Sequence, residues 1–470
     1  ITGPGGSRLY FARALEKLQI DVNVFRVGTY KSFVEPFTRT SASPEAKAAD
    51  QALAGSLWGS WLSDAKRLRP KADVAAYIAQ LPQRMGKFGG DSAKAALDAG
   101  LVDQLGSRED FDAAMIKLVG EDDLSEWGHY SGVTLANYLS ATGRTMGERG
   151  DAVGVVYVTG NIVDGEAPRG TAGSATIRQA LEEALAKNDD IKALVVRVDS
   201  GGGSVTASEE IRAALLSAKA DGLPVVASFG PVAASGGYWV GTAADEIFAQ
   251  PSTITGSIGV FAILPSFPRA LNDLGINSDG VKTTPYSGEP DVVAGLSPQV
   301  AQVLQMGVEN TYRRFIALVA AARKLPEAEV DRIAQGRVWA GTQAQQLKLV
   351  DKFGGLDAAV AAAAAKAGLK GEIRVINIEK PVPAWQQALE SFGSTESEEQ
   401  ANTARDPWAR LVQASRLRLL TAVNDLGWLA SGKGATMQAL CIECTMAGSP
   451  RPAAARQTEG LAAKLLQSPR

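Results

Sequence analysis

Apolar and polar positions follow two kinds of period along the chain. Short runs at 152–158 (AVGVVYV), 193–199 (ALVVRVD) and 224–229 (PVVASF) are β-rich and carry almost no polar alternation. Strands of that kind are buried on both faces, as a largely parallel sheet requires. Between them lie helical stretches at 176–188 (TIRQALEEALAKN) and 208–222 (SEEIRAALLSAKADG). Strand alternating with helix predicts an α/β fold. Residues 298–325 repeat apolar positions at three and four, which predicts one long amphipathic helix. After about residue 378 the pattern decays, and 390–406 (ESFGSTESEEQANTARD) reads as a polar, flexible segment.

The chain also repeats itself. ITG at 1–3 returns at 254–256, and ALEKLQI (14–20) returns as ALNDLGI (270–276). VEPF and SPEA (34–37, 43–46) are echoed by GEPD and SPQV (288–291, 297–300), and LVDQLG (101–106) by LVDKFG (349–354). The offset stays near about 250 residues and the order never changes, so the matches describe two tandem copies. The expected organisation is the C-terminal part of a first copy at 1–125, a charged linker at 126–150, a complete second copy at 151–378, and a tail at 379–470. The second copy begins about a hundred residues before its ITG, so the first is expected to be truncated.

Composition narrows the function classes. Of 470 residues 45% are hydrophobic and 21% charged, which suits a globular protein with a sizeable core. The net charge of −3 with no large basic block argues against nucleic-acid binding. The two cysteines, Cys441 and Cys444, form a lone CIEC that cannot complete a four-ligand zinc site. A tail disulfide and a pair of inert thiols both remain open. No run of 18 or more apolar residues and no signal-peptide pattern occurs.

Candidate chemistry lies in glycine-rich turns. The stretch 198–211 (VDSGGGSVTASEEI) follows a strand and opens a helix, where backbone amides can hold an anion. It is no dinucleotide loop, because Thr206 stands where the third glycine of G-x-G-x-x-G belongs, and no GK[ST] is present. A developing oxyanion is the other anion such amides serve, each donor being worth about 3–4 kcal/mol in a transition state. Residues 231–239 (PVAASGGYW) place Ser235 in a strand–turn–helix setting. Ala233 replaces the first glycine of the G-x-S-x-G elbow.

The single histidine, His129, falls in the linker, so a Ser-His-Asp arrangement is not expected. A lysine base is the known variant of the serine machinery. Lys31, in VGTYKSFVEPF (27–37), has no counterpart in the second copy, where KTTPYSGEPDV (282–292) places Pro285 or Tyr286. A site built across the copies pairs Lys31 with Ser235. To act as a base near pH 7, a lysine must drop by about three from its free pKa of about 10.4, a preference of about 4 kcal/mol for the neutral form. Burial against apolar walls supplies this, with Tyr30, Phe33, Val34 and Phe37 at hand.

The stretches VRVDSGGGSVTASEEIR, AASGGYWVGTAADEIFAQPSTITGSIGVF and FRVGTYKSFVEPF resemble the long, tandem-repeat form of the signal peptide peptidase A family, bacterial Ser-Lys serine proteases of the S49 type. The likeness runs from about residue 8 to residue 375. It implies the Clp-protease/crotonase-like fold of repeated ββα units, in two tandem copies with the first incomplete. It implies Ser235 as nucleophile, Lys31 as general base, Ser257 of TGSIG orienting the lysine, and the amides of Gly202 and Gly236 as the oxyanion hole. Gly201 replaces the usual proline of that loop, which loosens the loop without removing a donor.

No cofactor or metal is implied. The implied substrates are cleaved signal peptides and other apolar peptides. The implied setting is a homotetramer at the bacterial inner membrane, its catalytic part facing the periplasm, held by an N-terminal anchor that this sequence does not contain. Three other readings compete: an acyl-CoA enzyme of the crotonase type, a catalytically inactive scaffold, and a Clp-like protease subunit, which would need a suitable histidine.

Overall fold

A computed structural model of the chain describes residues 3–122, 129–134, 137–138, 150–379, 426–427, 429 and 437–441. The described chain divides into two compact units, one of Ile1–Pro4 with Ala54–Gly150 and one of Gly5–Leu53 with Asp151–Arg470. The acidic stretch 390–406 and most of the linker lie outside the described residues.

The first unit is helical, and side-chain caps set its boundaries. Asp73 accepts from the Ala76 amide ahead of helix Val74–Ala79, and Asp91 accepts from Ala93 and Lys94 ahead of Ser92–Asp98. Ser107 and Asp110 form a reciprocal capping box for Arg108–Val119. Such caps satisfy amides that have no partner within the helix.

The second unit holds two sheets. Its strands are β1 (Asp21–Val27), β2 (Ala152–Thr159), β3 (Asn161–Val163), β4 (Thr171–Gly173), β5 (Ile191–Ser200), β6 (Gly202–Ser204), β7 (Val225–Ala234), β8 (Glu246–Ala249), β9 (Ile254–Gly256), β10 (Val260–Ser266), β11 (Val338–Ala340), β12 (Lys352–Phe353), β13 (Arg374–Ile378) and β14 (Gln438–Leu440). The larger sheet runs β11-β9-β7-β5-β2-β13, with β8 and β12 branching from β7. All its pairings are parallel except β11 with β9.

The unalternating strands are explained by what covers them. Val156, Val158, Leu194, Val196 and Val198 pack into one core with helices Ser174–Lys187, Val205–Ala220 and Pro298–Arg323. Their neighbours Val153, Val155, Ala193 and Val195 pack on the opposite face with Ala359, Val360, Ala363 and Ala364 of helix Leu356–Lys366. Both sheet faces are therefore dry, and the α/β class read from the pattern is the observed one.

The long helix expected at 298–325 spans Pro298–Arg323 and ends on left-handed Lys324. Its start repeats the first copy: Ser297 accepts from Val300, as Ser43 accepts from Ala46 at the head of helix Pro44–Leu68. β7 runs past the expected 224–229 to Ala234. The β5/β7 ladder is irregular there, with Val198 opposite Phe229 and Ser200 opposite Ala233. Pro231 falls inside this bulge, where its lack of an N–H breaks no regular ladder.

The smaller sheet runs β1-β10-β14-β6-β3-β4 and draws on four distant stretches of chain. β1 pairs antiparallel with β10 over its whole length, from Asp21 opposite Ser266 to Val27 opposite Val260. Its alternation sends Phe25 and Val27 into the large core, and Val22 and Val24 into a second cluster with Val34, Phe37, Phe261 and Ile263. Cys441, one residue past β14, is in a disulfide, so of the two readings of CIEC that of inert thiols falls. Cys444 lies outside the described residues.

Candidate active site

Ser235 stands between β7 and the short helix Gly236–Gly241, with φ 54° and ψ −115°. A non-glycine residue with positive φ is strained, and such strain persists only where the surroundings hold it. Here its amide donates to the Gly256 carbonyl at 2.8 Å and its carbonyl accepts from Trp239 at 2.9 Å. The two glycines after it are required by space. A Cβ on Gly236 would meet the Ser208 hydroxyl at 2.6 Å and the Gly202 α-carbon at 3.1 Å; one on Gly237 would meet the Ser200 carbonyl oxygen at 2.7 Å.

The two aromatics that follow are anchors. The Tyr238 hydroxyl donates to the Leu349 carbonyl at 2.8 Å, and burial pushes its phenol well above the ordinary range. The Trp239 indole donates to Glu209 at 2.7 Å, and its ring packs against Phe315 with centroids 4.6 Å apart.

Lys31 arrives on the turn that follows β1, and second-copy residues seat that turn. The Tyr30 amide donates to the Gln335 carbonyl at 2.8 Å, and the Thr29 amide to the Gln335 side chain at 3.4 Å. Gln335 is fixed in turn by Asp331 at 2.7 Å and the Tyr312 hydroxyl at 3.1 Å. Gly336, with φ 76°, lies flat on the lysine backbone; a Cβ there would meet the Lys31 nitrogen and α-carbon at 2.8 and 2.9 Å. Gly259 would likewise press on the lysine Cδ at 3.2 Å. Sequence reasoning missed this seat, whose one visible signal is the turn-forming Gln-Gly pair.

The four residues expected as walls lie in different settings. Val34 and Phe37 are buried in the second cluster and Phe33 stacks on Phe261, but Tyr30 is half-buried under the Arg337 guanidinium.

These elements bring three of the expected residues together. The Lys31 Nζ lies 2.8 Å from the Ser235 Oγ, 3.1 Å from the Ser257 Oγ and 3.2 Å from the Ser257 carbonyl oxygen. Lys31 is 2% exposed and Ser235 0%. Ser257, also at positive φ (51°), is held by its amide on the Arg337 carbonyl at 2.7 Å. Gly202 and Gly236 adjoin one another beside the serine, because a Cβ on Gly202 would stand 2.6 Å from the Gly236 nitrogen. The Gly202 amide donates to the Ser200 hydroxyl at 3.1 Å, a partner sequence reasoning did not anticipate. His129 is exposed and belongs to the other unit.

Among the described residues no cluster of His, Cys, Asp or Glu could hold a metal ion, and no helix is long and apolar enough to cross a membrane.

Known proteins share this arrangement of sequence. Protease 4 of Salmonella typhi is 42% identical over 364 residues, covering 77% of this chain and 58% of its own. Protease 4 of Haemophilus influenzae is 36% identical over 368 residues, with the same two shares, and the chloroplastic serine protease SPPA of Arabidopsis thaliana is 29% identical over 406 residues, 82% of this chain and 57% of its own. The chain thus spans somewhat over half the length of these relatives. Among solved structures, a point mutant of ClpP1 from Listeria monocytogenes overlaps 44% of this chain and 94% of its own at 13% identity, with a TM-score of 0.29, a value at which shape decides nothing. The pattern of peptidase family S49 matches residues 1–121 and 217–370, a span that takes in Lys31, Ser235, Gly236 and Ser257. With more than half of its length inside that pattern, the chain belongs to peptidase family S49.

Proposed function

We infer that the chain is a serine peptidase in which Ser235 is the nucleophile and Lys31 the general base, acting on extended, apolar peptides. One observation carries this reading: the buried amine and the hydroxyl stand 2.8 Å apart, although 204 residues of chain separate them. That is the reach a general base needs.

In the uncharged amine the same contact runs with the hydroxyl donating. Removing an ammonium from water disfavours its charge, so the burial of Lys31 works toward the form the reaction needs. Lys31 takes the Ser235 proton as the oxygen attacks a peptide carbonyl, and the amides of Gly202 and Gly236 receive the oxyanion. The Gly202 amide first leaves the Ser200 hydroxyl. Lys31 passes its proton to the departing amine, and an acyl-enzyme on Ser235 is hydrolysed by water with the same lysine as base. Ser257 fixes the amine's direction through its hydroxyl and carbonyl. By the family resemblance the substrates are cleaved signal peptides, met by a membrane-anchored homotetramer on the periplasmic side of the inner membrane.

A fluorophosphonate probe tests the chemistry. Mass spectrometry is expected to find the label on Ser235, absent in Ser235→Ala. A base acts only when uncharged, so the labelling rate should climb with pH and then level off. A flat profile between about pH 6 and about pH 9 would remove the lysine from that role.

A further inference from the structure

We propose that residues 437–441 are a resident strand filling the groove in which Ser235 receives a peptide, so that a substrate reaches the serine only by displacing them. The proposal rests on the peptidase reading above and names how that site takes its ligand.

Topology comes first. β14 is the strand that joins β10 to β6 in the smaller sheet. β6 begins at Gly202, and β10 carries β1, the strand leading to Lys31, on its other edge. Without β14, the facing edges of β6 and β10 would present unpaired amides and carbonyls across a slot one strand wide. Such a slot binds an extended chain through its backbone.

The bonding comes next. The Val205 amide donates to Met437 at 3.1 Å and the Cys441 amide to Gly201 at 2.9 Å, with Gln438, Ala439 and Leu440 opposite Ser204, Gly203 and Gly202. The strand therefore runs antiparallel along the whole glycine turn, and Gln438 also pairs with Phe261 of β10.

Position decides the matter. The Ala439 carbonyl oxygen lies against both glycines of the expected oxyanion hole: a Cβ on Gly202 would collide with it, and one on Gly236 would stand 3.1 Å from it. Ala439 and Ser235 are both 0% exposed, so nothing from solvent reaches the hydroxyl while the strand is seated. The fitting ligand is an extended peptide with a small residue at the place of Ala439. Met437 sets the upstream contact, its sulfur accepting from the Thr311 hydroxyl at 2.9 Å.

The test uses the full chain carrying Ser235→Ala and a fluorescein-labelled synthetic copy of residues 434–441 with serine for the cysteine, read by anisotropy. A site occupied by its own strand binds a competitor more weakly by the fraction of time it stands open. Adding Ala439→Pro, or replacing 437–441 with glycine and serine, should tighten binding by about tenfold or more, and the same changes with Ser235 intact should speed fluorophosphonate labelling as much. Equal binding and equal labelling, in variants that unfold cooperatively at the parent temperature, would overturn the proposal. A reading without substitutions guards against misfolding. Excess peptide added to the unaltered chain should raise amide exchange at 438–441 and leave β5 protected, and unchanged exchange at 438–441 would also overturn it. If the binding contrast appears but no form labels at Ser235, the resident strand stands and the peptidase chemistry falls.

Discussion

Residues 21–37 and 277–292 hold equivalent places in the two copies and have opposite fates. The first stretch opens with DVNVFRV, whose alternation makes β1, and it lays seven residue pairs onto β10. The second opens with NSDGVKT, which has no such alternation, and it forms no strand. Val281 there is 95% exposed, whereas Phe25 is 7%. Lys31 ends buried against Ser235, while Lys282 ends in solvent beside Glu289. A repeated segment thus buries its lysine only where its pattern allows a strand and another strand's edge is there to receive it.

The strongest way to break this contrast is at the two lysines. Lys31→Ala should lower fluorophosphonate labelling of Ser235 by about a thousandfold or more, the scale of losing one member of a serine dyad or triad. Lys282→Ala should leave it unchanged, because this half-exposed amine pairs with Glu289 and touches no reacting group.

Next come the strands. Phe25→Ala should cost about 3 kcal/mol by denaturant unfolding, the usual penalty for emptying a buried aromatic site. Val281→Ala should stay within about 0.5 kcal/mol of the parent. If the two cost the same, β1 is not the element that binds the copies together.

The smallest expected effect sharpens the site itself. Ser257→Ala removes one of two contacts that aim the amine and keeps the carbonyl, so labelling should slow by about tenfold with little change in stability. Because the change acts through the lysine, it should also move the pH at which the rate levels off.

Much of this was legible beforehand. Unalternating valine runs foretold a sheet covered on both faces, and membership of family S49 carries with it the Clp-like class that the motifs implied. Ser235 was visible because its neighbours are small for a reason: Gly236 and Gly237 abut Ser208 and Ser200 directly. The lysine was singled out because the other copy has none at its position. What stayed hidden depended on contacts between distant stretches. Gln335 and Gly336 have no local pattern that marks them as the seat of a turn some 300 residues earlier. β14 lies in a tail that reads as polar and flexible with short helical pieces, and its three residues form a strand only because β6 and β10 offer edges on either side. The extension of β7 through Pro231 was obscured by a residue that usually ends strands, tolerated here by a bulge.

The separation of amine from hydroxyl has one more consequence. A chain leaving the ribosome exposes residue 31 first and must grow by 204 residues before residue 235 exists, and further still before β10 can receive β1. On the proposed chemistry, the polypeptide until that late closure carries a base with no nucleophile beside it. A half-made copy would then have no working site to turn on itself or on its neighbours.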